Sequence, residues 1–156
     1  MPMFPTPATE PCECGAADDC RPTWYEVLAE EHLDAALGRW HNPLVCIFAL
    51  QHASMFRRRF ADGQLQFLQL LVAEGIDAVN AVAGRRRARN KGSGPDLELP
   101  ELTAFPGIGN ADLPLSFALS LHHLRTDNGD FRSDGYQAYG RRMVEVATAT
   151  IDTWRE

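Results

Sequence analysis

The sequence predicts an all-α fold, a four- to five-helix bundle preceded by an irregular segment, from three observations. Apolar residues recur at helical intervals in successive stretches. Turn residues separate those stretches, and strand patterning is nearly absent, with Leu97 to Leu102 the one short candidate. The chain has 156 residues, 45% apolar and 23% charged, which suffices for one domain to bury a core without disulfides. A single helical domain over residues 1–156 is expected, with 1–22 irregular and 85–111 a long loop.

Met1 to Arg21 carries Pro2, Pro5, Pro7, Pro11, Gly15 and the pair Asp18-Asp19, so it cannot form a helix. Thr23 stands three residues before Glu26, a capping-box spacing. Tyr25, Leu28, Ala29, His32 or Leu33, and Ala36 then recur on one face as far as Gly38. Asn42-Pro43 reads as a second start, a cap followed by proline at the first helical position. It leads into Val45, Phe48, Ala49 and His52 on one face and runs to about Arg59. The third and clearest amphipathic stretch follows Asp62-Gly63, with Leu65, Leu68, Leu71 or Val72, Ile76, Val79 and Val82 leading to Gly84.

Gly92, Ser93, Gly94, Pro95, Pro100, Pro106 and Gly107 mark residues 85–111 as a connection. Leu115 to Arg125 reads as a short helix and Thr126 to Gly135 as a turn-rich loop. Tyr136 to Trp154 closes the bundle, with Tyr136, Met143, Val144, Ala147, Ile151 and Trp154 facing inward.

The charge pattern bounds the partners. The net charge is −6, and affinity for a phosphate backbone comes largely from Lys and Arg, so a nucleic acid is disfavoured. Bases outnumber acids only in the middle of the chain, where Arg57, Arg58 and Arg59 close one helix and Arg85, Arg86, Arg87, Arg89 and Lys91 follow another. Helix ends entering a solvated loop are the leading account of both runs, and a phosphate-bearing or acidic partner is the other. No apolar run approaches the ~20 residues of a membrane span, and the first residues lack a targeting pattern. The expectation is a soluble cytoplasmic protein, with no membrane partner and an unknown small molecule or protein as ligand.

Chemistry concentrates in the cysteines and histidines. Cys12, Cys14 and Cys20 fall within one short segment, and in a reducing compartment clustered thiols more often bind metal than form disulfides. Structural zinc takes four ligands, commonly Cys3His or Cys2His2. Cys12, Cys14 and Cys20 supply up to three, and His41, just before the Asn42-Pro43 start, is the expected fourth. A Zn2+ cofactor would also order a proline-rich segment that has no core of its own, making an irregular metal knuckle at the N-terminus. Disulfide-linked or unliganded cysteines are the competing reading.

His52 and His41 lie about three helical turns apart on one helix, too far to share an ion. His52 is therefore read as a core histidine or as part of a polar pocket with Gln51 and Glu31. Cys46, between Val45 and Ile47, reads as a buried hydrophobe. His122 and His123 are adjacent, so at most one faces the core, and neither has a second ligand one turn away. Trp24, Trp40 and Trp154 read as core.

Cys14-Gly15-Ala16, Cys20, Leu28-Ala29-Glu30-Glu31, His41, Val45 and Ala49-Leu50-Gln51-His52 together resemble an uncharacterised bacterial domain-of-unknown-function family. Its members open with a Cys-Gly-Ala knuckle and carry a His-x3-Val-x3-Ala-Leu-Gln-His-Pro segment. This chain departs from that pattern in its Cys12-x-Cys14 spacing, in Cys46 and Phe48 between the two histidines, and in Ala53 after His52. The resemblance implies a helical fold with a metal knuckle, favours Glu31 among the carboxylates, and promises no activity.

The leading reading is a small zinc-binding helical protein that acts as a binding or accessory module, with Cys12, Cys14, Cys20 and His41 as ligands. The alternative is a metal-dependent enzyme acting on a small molecule. There three protein ligands and a water hold the ion, with Glu31 or His52 as acid or base. A catalytic thiol is a third reading.

Overall fold

The computed structural model describes residues 11–55, 61–91 and 116–155. Among them the chain forms six α-helices and no strand, as the apolar spacing predicts. These are α1 (Arg21–Leu33), α2 (Ala35–Gly38), α3 (His41–Gln51), α4 (Ala61–Glu74), α5 (Ile76–Lys91) and α6 (Tyr136–Arg155). Single 3-10 turns at Ala53–Met55 and Leu121–Leu124 complete the described elements. Arg57 to Arg59 and Leu97 to Leu102 lie outside the described residues.

The helix starts follow the sequence in position more than in chemistry. α1 begins at Arg21 with Pro22 in its first turn, where a missing N–H costs nothing. Thr23 does not cap it. The Thr23 hydroxyl bonds the His122 ring at 2.8 Å and accepts from Arg125 at 3.1 Å, while Glu26 pairs with Arg125. Long-range partners have taken both members of the capping box. The helix expected to reach Gly38 ends at Leu33, because Asp34 turns extended and its carboxylate caps α2 through the Ala36 N–H at 3.0 Å. Asn42 is likewise no cap. It lies inside the first turn of α3, whose start no side chain caps, and its amide donates to Asn80 at 3.1 Å.

The long third stretch is two helices. Gly75 adopts φ +93°, a conformation open to glycine and costly for other residues, and it ends α4 before α5 begins. α5 then continues through Gly84 to Lys91, so the connection expected from residue 85 starts no earlier than 92. A helix-interior glycine costs only about 1 kcal/mol, and the Arg and Ala residues that follow are good helix formers. The short helix expected over Leu115 to Arg125 reduces to irregular chain over 116–120 and the turn Leu121–Leu124. The Ser120 hydroxyl starts that turn by accepting the His122 N–H at 3.2 Å.

The core lies where α3, α4 and α6 meet. α3 is buried on nearly all sides through Leu44, Cys46, Ile47, Phe48, Ala49 and Leu50, and Cys46 takes the hydrophobic place its neighbours indicate. α6 packs Met143, Ala147, Ile151 and Trp154 inward as expected, and the Trp154 indole donates to the Leu50 carbonyl at 3.1 Å. Tyr136 differs: it is exposed, and its hydroxyl donates to Asp34 at 2.7 Å. Among the described residues no helix is long and apolar enough to cross a membrane.

α1 and α3 run antiparallel across the α2 link. Cys20 at the start of α1 lies near His52 at the end of α3, Trp24 stacks on Phe48, and Glu31 near the end of α1 meets His41 at the start of α3. This arrangement positions both polar clusters described below.

Candidate metal centre

Residues 12–16 fold into a tight turn in which the Cys12 N–H donates to the Ala16 carbonyl and the Gly15 N–H to the Cys12 carbonyl, both at 2.9 Å. Gly15 sits at φ +92°, and a Cβ there would lie 2.5 Å from the Ser116 hydroxyl oxygen, so the turn accepts glycine alone. The Phe117 N–H donates to the Cys14 carbonyl at 2.9 Å and pins the turn to the distant segment before the second 3-10 turn. Cys12 and Cys14 are thereby placed beside Cys20, which is the residue preceding α1. His52 closes the group as the residue following α3.

The donor atoms of Cys12, Cys14, Cys20 and His52 all lie within 4.8 Å of one another. The Cys14 and Cys20 sulfurs are 3.5 Å apart and the Cys12 sulfur is 3.1 Å from His52 Nε2. A disulfide holds its sulfurs at about 2.05 Å, and all four cysteines of the chain are free thiols. Zinc bonds of about 2.3 Å to sulfur and 2.0 Å to nitrogen put tetrahedral ligand atoms roughly 3.5–3.8 Å apart. The cluster therefore fits such an ion with small adjustments.

The imidazole is prepared for that role. His52 Nδ1 donates to the Phe48 carbonyl one turn back at 2.7 Å, which fixes the tautomer and leaves the Nε2 lone pair facing the sulfurs. Cys14, Cys20 and His52 are buried, and Cys12 is half-buried. A cavity of about 310 Å3 opens beside Cys12, between Glu13, Asp19, Arg21 and Ser54.

The electrostatics match a group waiting for a cation. The hydrogen bond from Cys20 holds the Cys14 thiol well below the usual thiol range, while that shared bond and burial push Cys20 up. The two sulfurs share one hydrogen bond, which pushes their values apart. Burial works against a charged His52, yet its bonds to the Cys14 sulfur, the Phe48 carbonyl and the Cys12 sulfur outweigh burial and push it up to about 9.

The sequence-predicted set is thus brought together in three of its four members. His41, expected as the fourth ligand, lies at the other end of α3. Its Nδ1 hydrogen-bonds Glu31 Oε1. Eleven residues of helix, about 16 Å at 1.5 Å per residue, separate it from His52. The same span along α1 separates Glu31 from Cys20, so Glu31 does not stand beside the cysteines as an acid or base. His52 is a cluster member, and its Nδ1 proton is committed to a backbone carbonyl. His122 pins chain segments instead, bonding Thr23 at 2.8 Å and the Asp18 carbonyl at 3.0 Å, and His123 meets Glu145 at 3.3 Å.

The signal for His52 was present in the sequence: Cys20 stands at the entry to one helix, and antiparallel neighbours joined by a short link place the entry of the first beside the exit of the second. No curated protein and no solved structure matches the chain. Residues 9–155, nearly its whole length, match the family of unknown function DUF5946, and the protein belongs to that family.

Proposed function

We propose that this protein is a small zinc-binding helical module with a binding or accessory role, in which Cys12, Cys14, Cys20 and His52 hold a structural Zn2+. The supporting observation is the convergence of three sulfurs and a tautomer-fixed imidazole nitrogen within 4.8 Å. Thiolate-rich tetrahedral sets favour zinc among the common cellular divalent ions. Four protein donors fill a tetrahedron and leave no coordination place for a substrate, which favours a structural role over the metalloenzyme reading. The ion would tie the turn at residues 12–16 to the facing ends of α1 and α3, and its binding free energy would add to folding. Free thiols in contact suit a reducing compartment such as the cytoplasm.

Elemental analysis and circular dichroism of the purified protein test the reading. One zinc per chain, with chelation lowering the melting temperature by more than about 10 °C, is the expected result. Zinc-free protein that gains neither metal nor stability on zinc addition would overturn it.

A further inference from the structure

At the far end of α1 and α3 from the cysteines, a cavity of about 630 Å3 is lined by Glu31, Arg39, His41, Asn42, Asn80 and Arg87 among others. Its floor is unusual. The Glu31 side chain is only 7% exposed, its Oε1 receives the His41 Nδ1 hydrogen bond, and its Oε2 has no partner among the described residues. A buried carboxylate that binds an imidazole through Nδ1 fixes the ring and leaves Nε2 on its solvent side; the His41 side chain is half exposed.

The rim carries the opposite charge. Asn80 and Arg87 lie seven residues apart on α5 and so share a face. Asn80 is locked by its bonds to Asn42 at 3.1 Å and to the Arg39 carbonyl at 3.0 Å. Among the described residues the Arg39 guanidinium meets Asp77, at 2.5 Å, and the Asp77 side chain is 90% exposed, so that pair is easily exchanged for a better anion. No side chain caps α3, whose positive dipole end begins at His41 itself. Gly38 completes the wall: a Cβ there would press on the Glu31 carbonyl at 3.0 Å.

A cation is the weaker occupant. Two guanidinium groups face the space, and among the described residues the cysteine cluster is the group of three or more donors placed for a metal. We propose that this cleft is a second site, distinct from the cysteine cluster, that binds a small anion bearing a phosphate or carboxylate group. Arg87, Arg39 and the uncapped start of α3 take its charge beside the half-exposed His41 ring. Glu31 is a positioning residue, since its carboxylate holds the imidazole and faces the ligand only through it.

Inorganic phosphate and acetate are the probes, added separately to the protein with its metal content measured and followed by 1H–15N spectra. The expected result is a saturable shift of the His41 ring and of the Asn42 and Arg87 signals, with the His52 ring unmoved, at a Kd of about 10 mM or tighter. Arg87→Gln, a substitution at the rim that leaves the core intact, should weaken binding at least fivefold. Saturation by phosphate alone assigns a phosphoryl group, and saturation by both assigns either oxyanion. Shifts that do not saturate, or that persist unchanged in Arg87→Gln, overturn the proposal. So would a response of the His52 ring equal to that of His41.

Discussion

Trp24 of α1 lies flat on Phe48 of α3, with ring centroids 4.2 Å and planes 9° apart. Phe48 in turn touches the His52 ring at 4.3 Å. The three rings form a column that runs from the first turn of α1 to the cysteine cluster, and Phe48 also supplies the carbonyl that fixes the His52 tautomer. Helix packing and ligand orientation therefore share one residue.

Removing that residue's ring should be felt in both. Phe48→Leu roughly conserves volume and keeps the carbonyl, so a loss of about 1–1.5 kcal/mol in urea unfolding is expected. Combined with Trp24→Leu, the double mutant should fall short of additivity by about 0.5–1.5 kcal/mol, the range for stacked aromatic pairs. Strict additivity would show that the stack contributes area and no ring-specific energy.

The two histidines of α3 separate cleanly by substitution. His52→Ala or Cys20→Ser should reduce bound zinc to a small fraction of one per chain after gel filtration and lower stability by several kcal/mol. His41→Ala should retain the full complement, because His41 lies some 16 Å away along the helix. Zinc loss in His41→Ala with retention in His52→Ala would restore the ligand set that spacing alone had indicated.

Spacing favoured His41 because histidines before a helix start are common ligands, and nothing in a single periodic stretch says which end meets the cysteines. That choice is tertiary: it follows from α1 and α3 packing antiparallel, a pairing that the short link between them allows but does not by itself dictate. The helical class, the inward face of α6 through Met143, Ala147, Ile151 and Trp154, and the burial of Cys46 were all legible because periodicity reports directly on burial. Caps were not. Thr23, Glu26 and Asn42 have the right chemistry for local capping, and each was taken by a partner far along the chain, His122, Arg125 and Asn80. Gly75 and Gly84 look alike in sequence, yet only Gly75 adopts positive φ, so the break between α4 and α5 was hidden in an unbroken apolar pattern.

Glu31 makes stability depend on pH in a defined direction. Burial raises its folded-state value above that of an exposed glutamate, and the hydrogen bond from His41 offsets this only in part. The folded state thus binds the proton more tightly than the unfolded chain. Stability falls as pH rises from the ordinary glutamate range through the raised value, and stays lower above it. Glu31→Gln keeps an acceptor for the His41 N–H and removes the buried charge. Its melting temperature should match that of the natural protein at pH 4 and exceed it at pH 7.5. A variant less stable at pH 7.5 than at pH 4, relative to the parent, would show that the ion pair outweighs desolvation.

Gly140 sets two helix effects against each other. It lies inside α6, where alanine is ordinarily favoured over glycine by about 1 kcal/mol. A Cβ at this position would stand 2.5 Å from Trp40 Cζ2 and 3.0 Å from Cη2, and real contacts are never so close. Trp40 cannot swing aside freely, because its ring meets Tyr139 edge to face at 6.5 Å and Tyr139 is fully buried. Overpacking of this kind costs about 1–3 kcal/mol. Gly140→Ala should therefore destabilise by about 1–2 kcal/mol net, despite its better helix propensity, and Trp40→Leu in the same chain should recover most of the loss. Thermal unfolding of the single and double variants checks both signs. Stabilisation by Gly140→Ala alone would mean that Trp40 yields and that the close approach of the α3 entry to α6 is not needed for packing.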